Sequence, residues 1–480
     1  MTAPSGSALS SFRRLSFRDP AGSILSDGRR ILRTVHPDQS RLIVEFLHSA
    51  TARELMDAGM LVRTWPASPE EREDLPRDPD GGAVFGHERV AFPSYPHEWS
   101  AGMLAAAGHL TLDLAERLLP QGLGLKDATP YNVLFRGPAP LFVDLLSVEQ
   151  RQPRDATWLP YGQFSRTFLL PLLAARDYHL SPGQTFTLRR DGLEPEDLYA
   201  LAGALRRLHP GYLGLVTLPV LLGRGRDNGA AYAPRLADSA EKARFVLAAM
   251  LRHARRALRR STPDPQRTSA WSDYMATKTY DDAAFATKER FVRAALEKAR
   301  PAALLDIGCN TGHFALLAAE LGARVVAVDR DPVVIDVLHR LAVQRAADVL
   351  PLVVDISRPT PGVGWRNGEA PAFLDRARGA FDAVLLLALV HHLMVTERVP
   401  LDEIADLAAE LTRGIAVVEY IGADDQMFRR LLRGRDALFA GYSASQFEAA
   451  FNRHFDVVSH QTVPGTDRRL YALRKRSSAA

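Results

Sequence analysis

Leu304–Asp331 reads LLDIGCNTGHFALLAAELGARVVAVDRD, and its reading decides the fold. A short apolar run from Ala302 to Ile307 opens it. A small-residue turn of Gly308, Cys309, Asn310, Thr311 and Gly312 follows. Phe314, Leu317, Ala318 and Leu321 then recur at helical spacing. Gly322 sits where helices commonly stop. Val325, Val326 and Val328 form a second, β-branched run that ends on Asp329. Strand, glycine turn, helix, strand, acid is half of a nucleotide-binding α/β unit.

The chemistry follows from the residue types. Glycines at 308 and 312 let the chain turn tightly and let a ligand approach the backbone. The following helix offers free N–H groups. Asp329 lies 23 residues after Asp306, at the end of its strand, where a carboxylate can accept both hydroxyls of a ribose. A dinucleotide turn, G-x-G-x-x-G, does not fit these positions. The stretch instead resembles motif I of class I S-adenosylmethionine (SAM) methyltransferases, (D/E)-x-G-x-G-x-G, with Asn310 at the middle glycine. That resemblance implies SAM as cofactor. It assigns Asp306, Gly308, Asn310 and Gly312 to the methionine end and Asp329, with Arg330 beside it, to the ribose. A Rossmann-like unit that binds NAD, or nothing, is the alternative.

Downstream the alternation continues. Pro332–Ala346 is a helix, and Val349–Asp355 a third strand ending in an acid. In the methyltransferase pattern Asp355 and Ile356 would meet the adenine. Asp306, Asp329 and Asp355, each near the end of a successive strand, would line one edge of the sheet. Residues 359–371 form a Pro/Gly-rich loop. Phe381–Leu389 is the fourth strand and resembles motif IV of the family, with Leu387 near the cofactor. Val390-His391-His392-Leu393 follows, where the family places the methyl acceptor. His391 is the candidate base, because an imidazole titrates near neutrality. Packing or capping is the alternative for both histidines. No metal site is assigned, since adjacent histidines point apart and no third ligand is evident. The (N/D)-P-P-(Y/F) signature of base-N6 and glutamine methylation is absent. Leu401–Thr412 is a helix and Gly414–Tyr420 a fifth strand; Glu419 and Asp425 are further candidates to face the acceptor. Helix Phe447–Phe455 and strands Asp456–His460 and Arg469–Leu473, joined at Pro464–Asp467, complete the pattern. A closing antiparallel hairpin on a parallel sheet is the class I methyltransferase ending.

The first half carries a second pattern. Trp99–Leu119 has apolar residues at helical spacing, and Gly122 and Gly124 end it. Leu125–Ser147 follows, LKDATPYNVLFRGPAPLFVDLLS. Asp127 and Asn132 are five residues apart, and Asp144 closes an apolar strand twelve residues on. This layout resembles the catalytic loop of protein kinases and aminoglycoside phosphotransferases. The resemblance implies Asp127 as base and Asn132 and Asp144 as Mg²⁺ ligands. No His-Arg or His-Gly precedes Asp127, no glycine follows Asp144 as in the kinase tripeptide, and no Gly-rich loop or strand Lys is evident upstream. A fold relic with no catalysis of its own is the leading reading. The whole chain, with YPHEWS at Tyr95–Ser100, also resembles two-part proteins of bacterial nodulation and natural-product loci.

Composition narrows the classes. The chain has 480 residues, 46% hydrophobic and 24% charged, with a net charge of +4, which leaves room for two or three domains. One cysteine, Cys309, excludes a disulfide framework. No apolar run is long enough to span a membrane, and the N-terminus has no signal core, so a cytoplasmic enzyme is expected. The basic run Arg252–Arg260 reads as a solvated helix face, and no nucleic-acid partner is expected. Phe17–Val35 reads as strand–turn–strand, Leu42–Ala58 as helix-like, Pro66–Gly82 as a loop, Leu193–Leu222 and Ser239–Arg260 as helices.

The expected architecture is therefore an α+β, mainly helical domain over 1–262, a linker over 263–270 and an α/β methyltransferase domain over 271–480. The latter is a mostly parallel seven-stranded sheet with the C-terminal hairpin. Tyr274 and Lys278 are candidate lid residues. The function expected is methyl transfer to a hydroxyl or amine of a small-molecule, glycan, natural-product or carrier-bound acceptor. A bifunctional protein with an ATP/Mg-dependent first half, and a non-catalytic SAM-binding scaffold, are the rivals.

Overall fold

The structure, a computed structural model, describes residues 12–16, 18–73, 75, 82–223, 235–269, 282–434, 436–439 and 441–477. Tyr274 and Lys278 lie outside the described residues. The second half is built on a seven-stranded sheet. Its strands are β10 (Ala303–Ile307), β11 (Arg324–Asp329), β12 (Val349–Val353), β13 (Phe381–Leu386), β14 (Thr412–Ile421), β15 (Phe455–Thr462) and β16 (Arg468–Lys475). They lie in the order β12-β11-β10-β13-β14-β16-β15. The first five are parallel, and β16 runs antiparallel to both β14 and β15. The inner strands are apolar on both faces, as strands covered by helices on both sides must be. Leu304, Leu305, Ala327, Val328, Ala383, Val384, Val417 and Val418 are all buried. Chain order reverses between β10 and β13, which opens a crevice at the carboxyl ends of the strands.

The glycine turn has a steric cause. Gly312 has φ +84, and a β-carbon there would stand 2.1 Å from Leu338 Cδ1. The left-handed angle and the nearness of Leu338, on helix Pro332–Arg345, both favour a residue without a side chain at this turn.

The first half contains more sheet than its sequence suggests. Five short strands, β1 (Arg13–Arg14), β2 (Gly22–Ser26), β3 (Ile31–Val35), β4 (Thr64–Pro66) and β5 (Ala83–His87), form an antiparallel sheet in the order β1-β2-β3-β5-β4. β2 and β3 are the strand–turn–strand expected over Phe17–Val35. β1, β4 and β5 are not expected from the sequence, because no strand exceeds five residues and the two-residue alternation is too brief to stand out without a turn signal. Helices Pro37–His48 and Ala50–Asp57 cross between β3 and β4. The buried helix Ala101–Leu118 follows. Two small ladders come next, β6 (Leu123–Leu125) with β9 (Val148–Gln150) and β7 (Val133–Arg136) with β8 (Ala139–Phe142). The helical stretch expected over 193–222 is a series of short helical turns, broken at Ala202-Gly203 and again just before Pro210. Ser239 caps helix Ala240–Ser261 through Lys242 N. On that helix Arg255 pairs with Asp113 and Glu116.

The halves touch extensively. One apolar core runs from Trp99 and Phe142 into Leu305 and Phe373. Gly102 N donates to Asp336 Oδ1 at 2.8 Å, and His339 Nε2 lies 3.0 Å from the carbonyl of Pro138. Glu98, fully buried, pairs with Arg376 from the other half.

Candidate functional site

A cavity opens at the crevice between β10 and β13. Its floor is the turn at Gly308 and Asn310, one side is Asp329 and Arg330, and Asp355, Ile356 and Ser357 form the far wall. Leu387, Ala388 and Leu389 close it from β13. Seven of the residues selected from sequence thus surround one space: Gly308, Asn310, Asp329, Arg330, Asp355, Ile356 and Leu387.

Local hydrogen bonds fix this geometry. Asp329 Oδ2 accepts from Asn310 N at 3.0 Å, and Oδ1 accepts from Asp331 N at 3.0 Å. Asn310 sits at φ +50, a conformation that Asn tolerates better than most residues. Its Oδ1 accepts from Thr311 N at 2.7 Å. Burial pushes the Asp329 carboxyl up, and the two amides pull it back. Asp355 lies two residues beyond the end of β12 and holds its own loop through Ser357 N and Oγ. Cys309 is buried, and burial pushes its thiol well up, as suits small filler in a turn.

Three selected residues stand behind the wall. Gly312 packs on Leu338. Asp306 is 3% exposed, and its Oδ2 has no hydrogen-bond partner. Burial pushes its carboxyl up to about 7, against a smaller pull from Lys288. His391 is 2% exposed with no partner at Nδ1. Burial holds its imidazole well below its usual range, helped by His392, Arg468 and Lys288. The cavity wall carries the neighbouring His392 instead, and burial lowers its imidazole to about 4. Both rings are neutral at physiological pH. The sequence reading also omitted Thr396 and Glu397. Glu397 holds Arg330 at 3.4 Å and Arg358 at 3.0 Å across the cavity rim. A charge five residues past a histidine pair gives no sequence signal of its own.

Glu419 and Asp425 do not sit on an open rim. Glu419 is 1% exposed and pairs with Lys288 at 2.6 Å, and Asp425 takes Arg468 in two hydrogen bonds. Among the described residues no group of three or more His, Cys, Asp and Glu could hold a metal ion. No described helix is long and apolar enough to cross a membrane.

Asp306 carries a pH prediction. Its folded pKa is raised, so its contribution to stability is full below the ordinary carboxylate pKa of about 4. That contribution is lost as pH rises toward about 7. Asp306→Asn removes the ionisation and keeps an acceptor. The variant gains on wild type by roughly 2 kcal/mol between pH 5 and pH 8. Thermal unfolding at the two pH values measures this; a gap that stays constant with pH counts against the assignment.

A mostly parallel sheet in this strand order, with β16 antiparallel at its end, and a glycine turn after β10 define a class I methyltransferase fold. Residues 280–462 match the family described as a methyltransferase domain. Over 469 residues the chain is 31% identical to the nodulation protein NoeA of Rhizobium meliloti (strain 1021), covering 96% of this chain and 95% of that protein. The chain belongs to the NoeA family. Solved structures similar to it include the N-methyltransferase NodS from Bradyrhizobium japonicum WM9, at 16% identity and a TM-score of 0.31, covering 41% of this chain and 99% of that one. Another is magnesium protoporphyrin IX methyltransferase from Synechocystis PCC 6803 with bound S-adenosylhomocysteine, at 15% identity and a TM-score of 0.30, covering 40% and 84%.

Proposed function

We propose that this chain transfers a methyl group from SAM to a hydroxyl or amine of a small-molecule, glycan or natural-product acceptor. One observation carries the reading: the cavity at the carboxyl edge joins an acid for a ribose, an acid and an apolar wall for a purine, and a side-chain-free turn. The residues fit an adenosine-type group. Asp329 would accept the ribose hydroxyls. Asp355 would face the adenine amino group, with Ile356 and Leu387 against the ring. Gly308 and Asn310 would leave room for the amino-acid end, and Asp306 supports the turn from below. Bound there, SAM supplies an electrophilic methyl group. The chain's own work is alignment and exclusion of water.

The proton of the acceptor needs a destination. His392 is the histidine on the cavity wall. The burial that lowers it to about 4 makes it a weak base, so it would take the proton only from an oxygen made strongly acidic as the methyl arrives. His391 lies behind it, with ring centroids 4.2 Å apart, and we assign it the orientation of His392. The test is release of S-adenosylhomocysteine from SAM across a panel of polyhydroxylated and amino acceptors. Turnover on any of them establishes the reading. Tight binding with no turnover on every acceptor favours a scaffold role.

A second reading has its own observation. Asp127, Asn132 and Asp144, from one stretch of the chain, line one cleft of the first half. Asp144 is bonded there by Arg33 of β3 at 3.0 Å. This placement supports the phosphotransferase resemblance. Titration of ATP with Mg²⁺, compared with Asp144→Ala, tests it; heat that is absent in both leaves the cleft structural.

A further inference from the structure

The wall of the cofactor cavity contains a backbone conformation that its own residue does not favour. Ala388, just past β13, has φ +51. A β-carbon makes this left-handed region costly, and residues are found there when the surroundings over-determine them. Ala388 lines the cavity between Leu387 and Leu389. Leu389 in turn lies over Gly308, where a β-carbon would come within 3.3 Å of it. The angle at Ala388 therefore sets both the β13 wall and its contact with the glycine turn.

What holds the angle comes from another strand. The N–H of Ala388 donates to Glu419 Oε2 at 2.9 Å. The same oxygen accepts from Lys288 Nζ at 2.6 Å, with the two side chains 1% and 5% exposed. The other carboxylate oxygen of Glu419 faces Arg468 at 3.6 Å. Lys288 belongs to helix Asp282–Ala299, and its ammonium also sits 5.3 Å from the ring centroid of Phe314 in the helix after the glycine turn. Its neighbour Glu289 holds His313, the first residue of that helix, at 2.9 Å. One helix thus braces both sides of the cavity.

We propose that Glu419 is a positioning residue for the cofactor: shared between Lys288 and the Ala388 amide, its carboxylate holds the β13 wall in the shape that receives the adenosine. The proposal rests on the SAM reading of the cavity. It explains why a carboxylate is buried at the end of β14. A charge this deep is costly unless paired and hydrogen-bonded, and here one oxygen serves a lysine and an amide together.

The experiment is calorimetric titration of S-adenosylhomocysteine into the full chain and four variants. Wild-type binding tests the SAM reading by itself, so its failure is distinct from failure of the proposal. Glu419→Ala is expected to weaken binding about tenfold or more. Glu419→Gln keeps an acceptor for the Ala388 amide and is expected to stay within about threefold of wild type. Both lose the charge pair with Lys288, so both melt lower, and stability separates from affinity. The decisive variant is Glu419→Ala with Ala388→Gly. Glycine adopts positive φ without a tether, so affinity returns to within about threefold of wild type. The double variant Lys288→Met/Glu419→Leu leaves no lone buried charge in the pair and still removes the tether. It is expected to show the same loss as Glu419→Ala and serves in its place if that variant does not fold. Unchanged affinity in the variants that lack the tether overturns the proposal. So does a Gln variant as weak as the Ala variant, or a glycine that restores nothing.

Discussion

Asp329→Ala is expected to lower affinity for S-adenosylhomocysteine roughly 100-fold, about 2.7 kcal/mol. Three physical terms converge on this side chain. A carboxylate receiving two hydroxyls makes charge-assisted hydrogen bonds, each contributing about 1.5–3 kcal/mol when water is excluded. Asp329 is half-buried at the end of β11, and burial already raises its pKa. Its oxygens also accept from Asn310 N and Asp331 N, so they fix the turn that forms the cavity floor. Alanine removes the ligand contact and loosens the floor together. Asp329→Asn keeps one acceptor oxygen and is expected to lose about tenfold. Calorimetric titration of the three proteins, each with a thermal melt as control for folding, decides it. A wild type that binds and an alanine variant that binds equally well would show that the ribose lies elsewhere. Asp355 would then be the acid to replace next.

The register of the acids explains how much of this site can be read from the chain. Asp329 ends its strand and Asp306 lies one residue before the end of its own; both positions are readable because strand length and glycine position are local properties. The sequence pattern puts Asp355 at a strand end too, yet β12 stops at Val353. Its role depends on a loop that turns back through Ser357, and a turn of that kind is also local. The histidines show the limit. A step of one residue rotates a side chain about 100° around a helix. His391 therefore points into the protein and His392 into the cavity, and no pattern in VHHL separates them. The buried pairs are further from reach. Lys288 and Glu419 are 131 residues apart, and Glu98 and Arg376 are 278 apart. A lone charge in an amphipathic helix looks the same whether it meets water or a partner. The short strands of the first half fail for a different reason. β2 and β3 are the exception, since the Asp27-Gly28 turn marks them as a strand–turn–strand. β1, β4 and β5 have too few residues for alternation to rise above chance, so only the paired sheet identifies them.

The segment YPHEWS makes the strongest stability prediction. Glu98 is fully buried, and its carboxylate takes the Arg376 guanidinium, Thr360 Oγ1 at 2.7 Å and Tyr95 N at 3.3 Å. Arg376 also donates to the carbonyls of Pro93 and Pro371. Its guanidinium lies 5.0 Å from the ring centroid of Phe92, 5.2 Å from Tyr95 and 5.7 Å from Phe373. Arg376→Ala strands a carboxylate in the core that joins the two halves. Breaking such a pair from one side costs about 3–5 kcal/mol, and the lost cation–π contacts add to it. The expected result in urea is a midpoint far below that of wild type. The comparison that identifies the cause is Glu98→Met/Arg376→Met. It leaves no charge behind, so it is expected to be more stable than Arg376→Ala by at least about 1 kcal/mol, although it removes more polar contacts. Since one apolar core runs through both halves, wild type is expected to unfold in a single transition followed alike by tryptophan fluorescence and circular dichroism. If the halves are instead coupled only through this ion pair, Arg376→Ala will melt in two steps while the second half still binds S-adenosylhomocysteine. That outcome would move the seat of stability from the shared apolar core to Glu98 and Arg376 themselves.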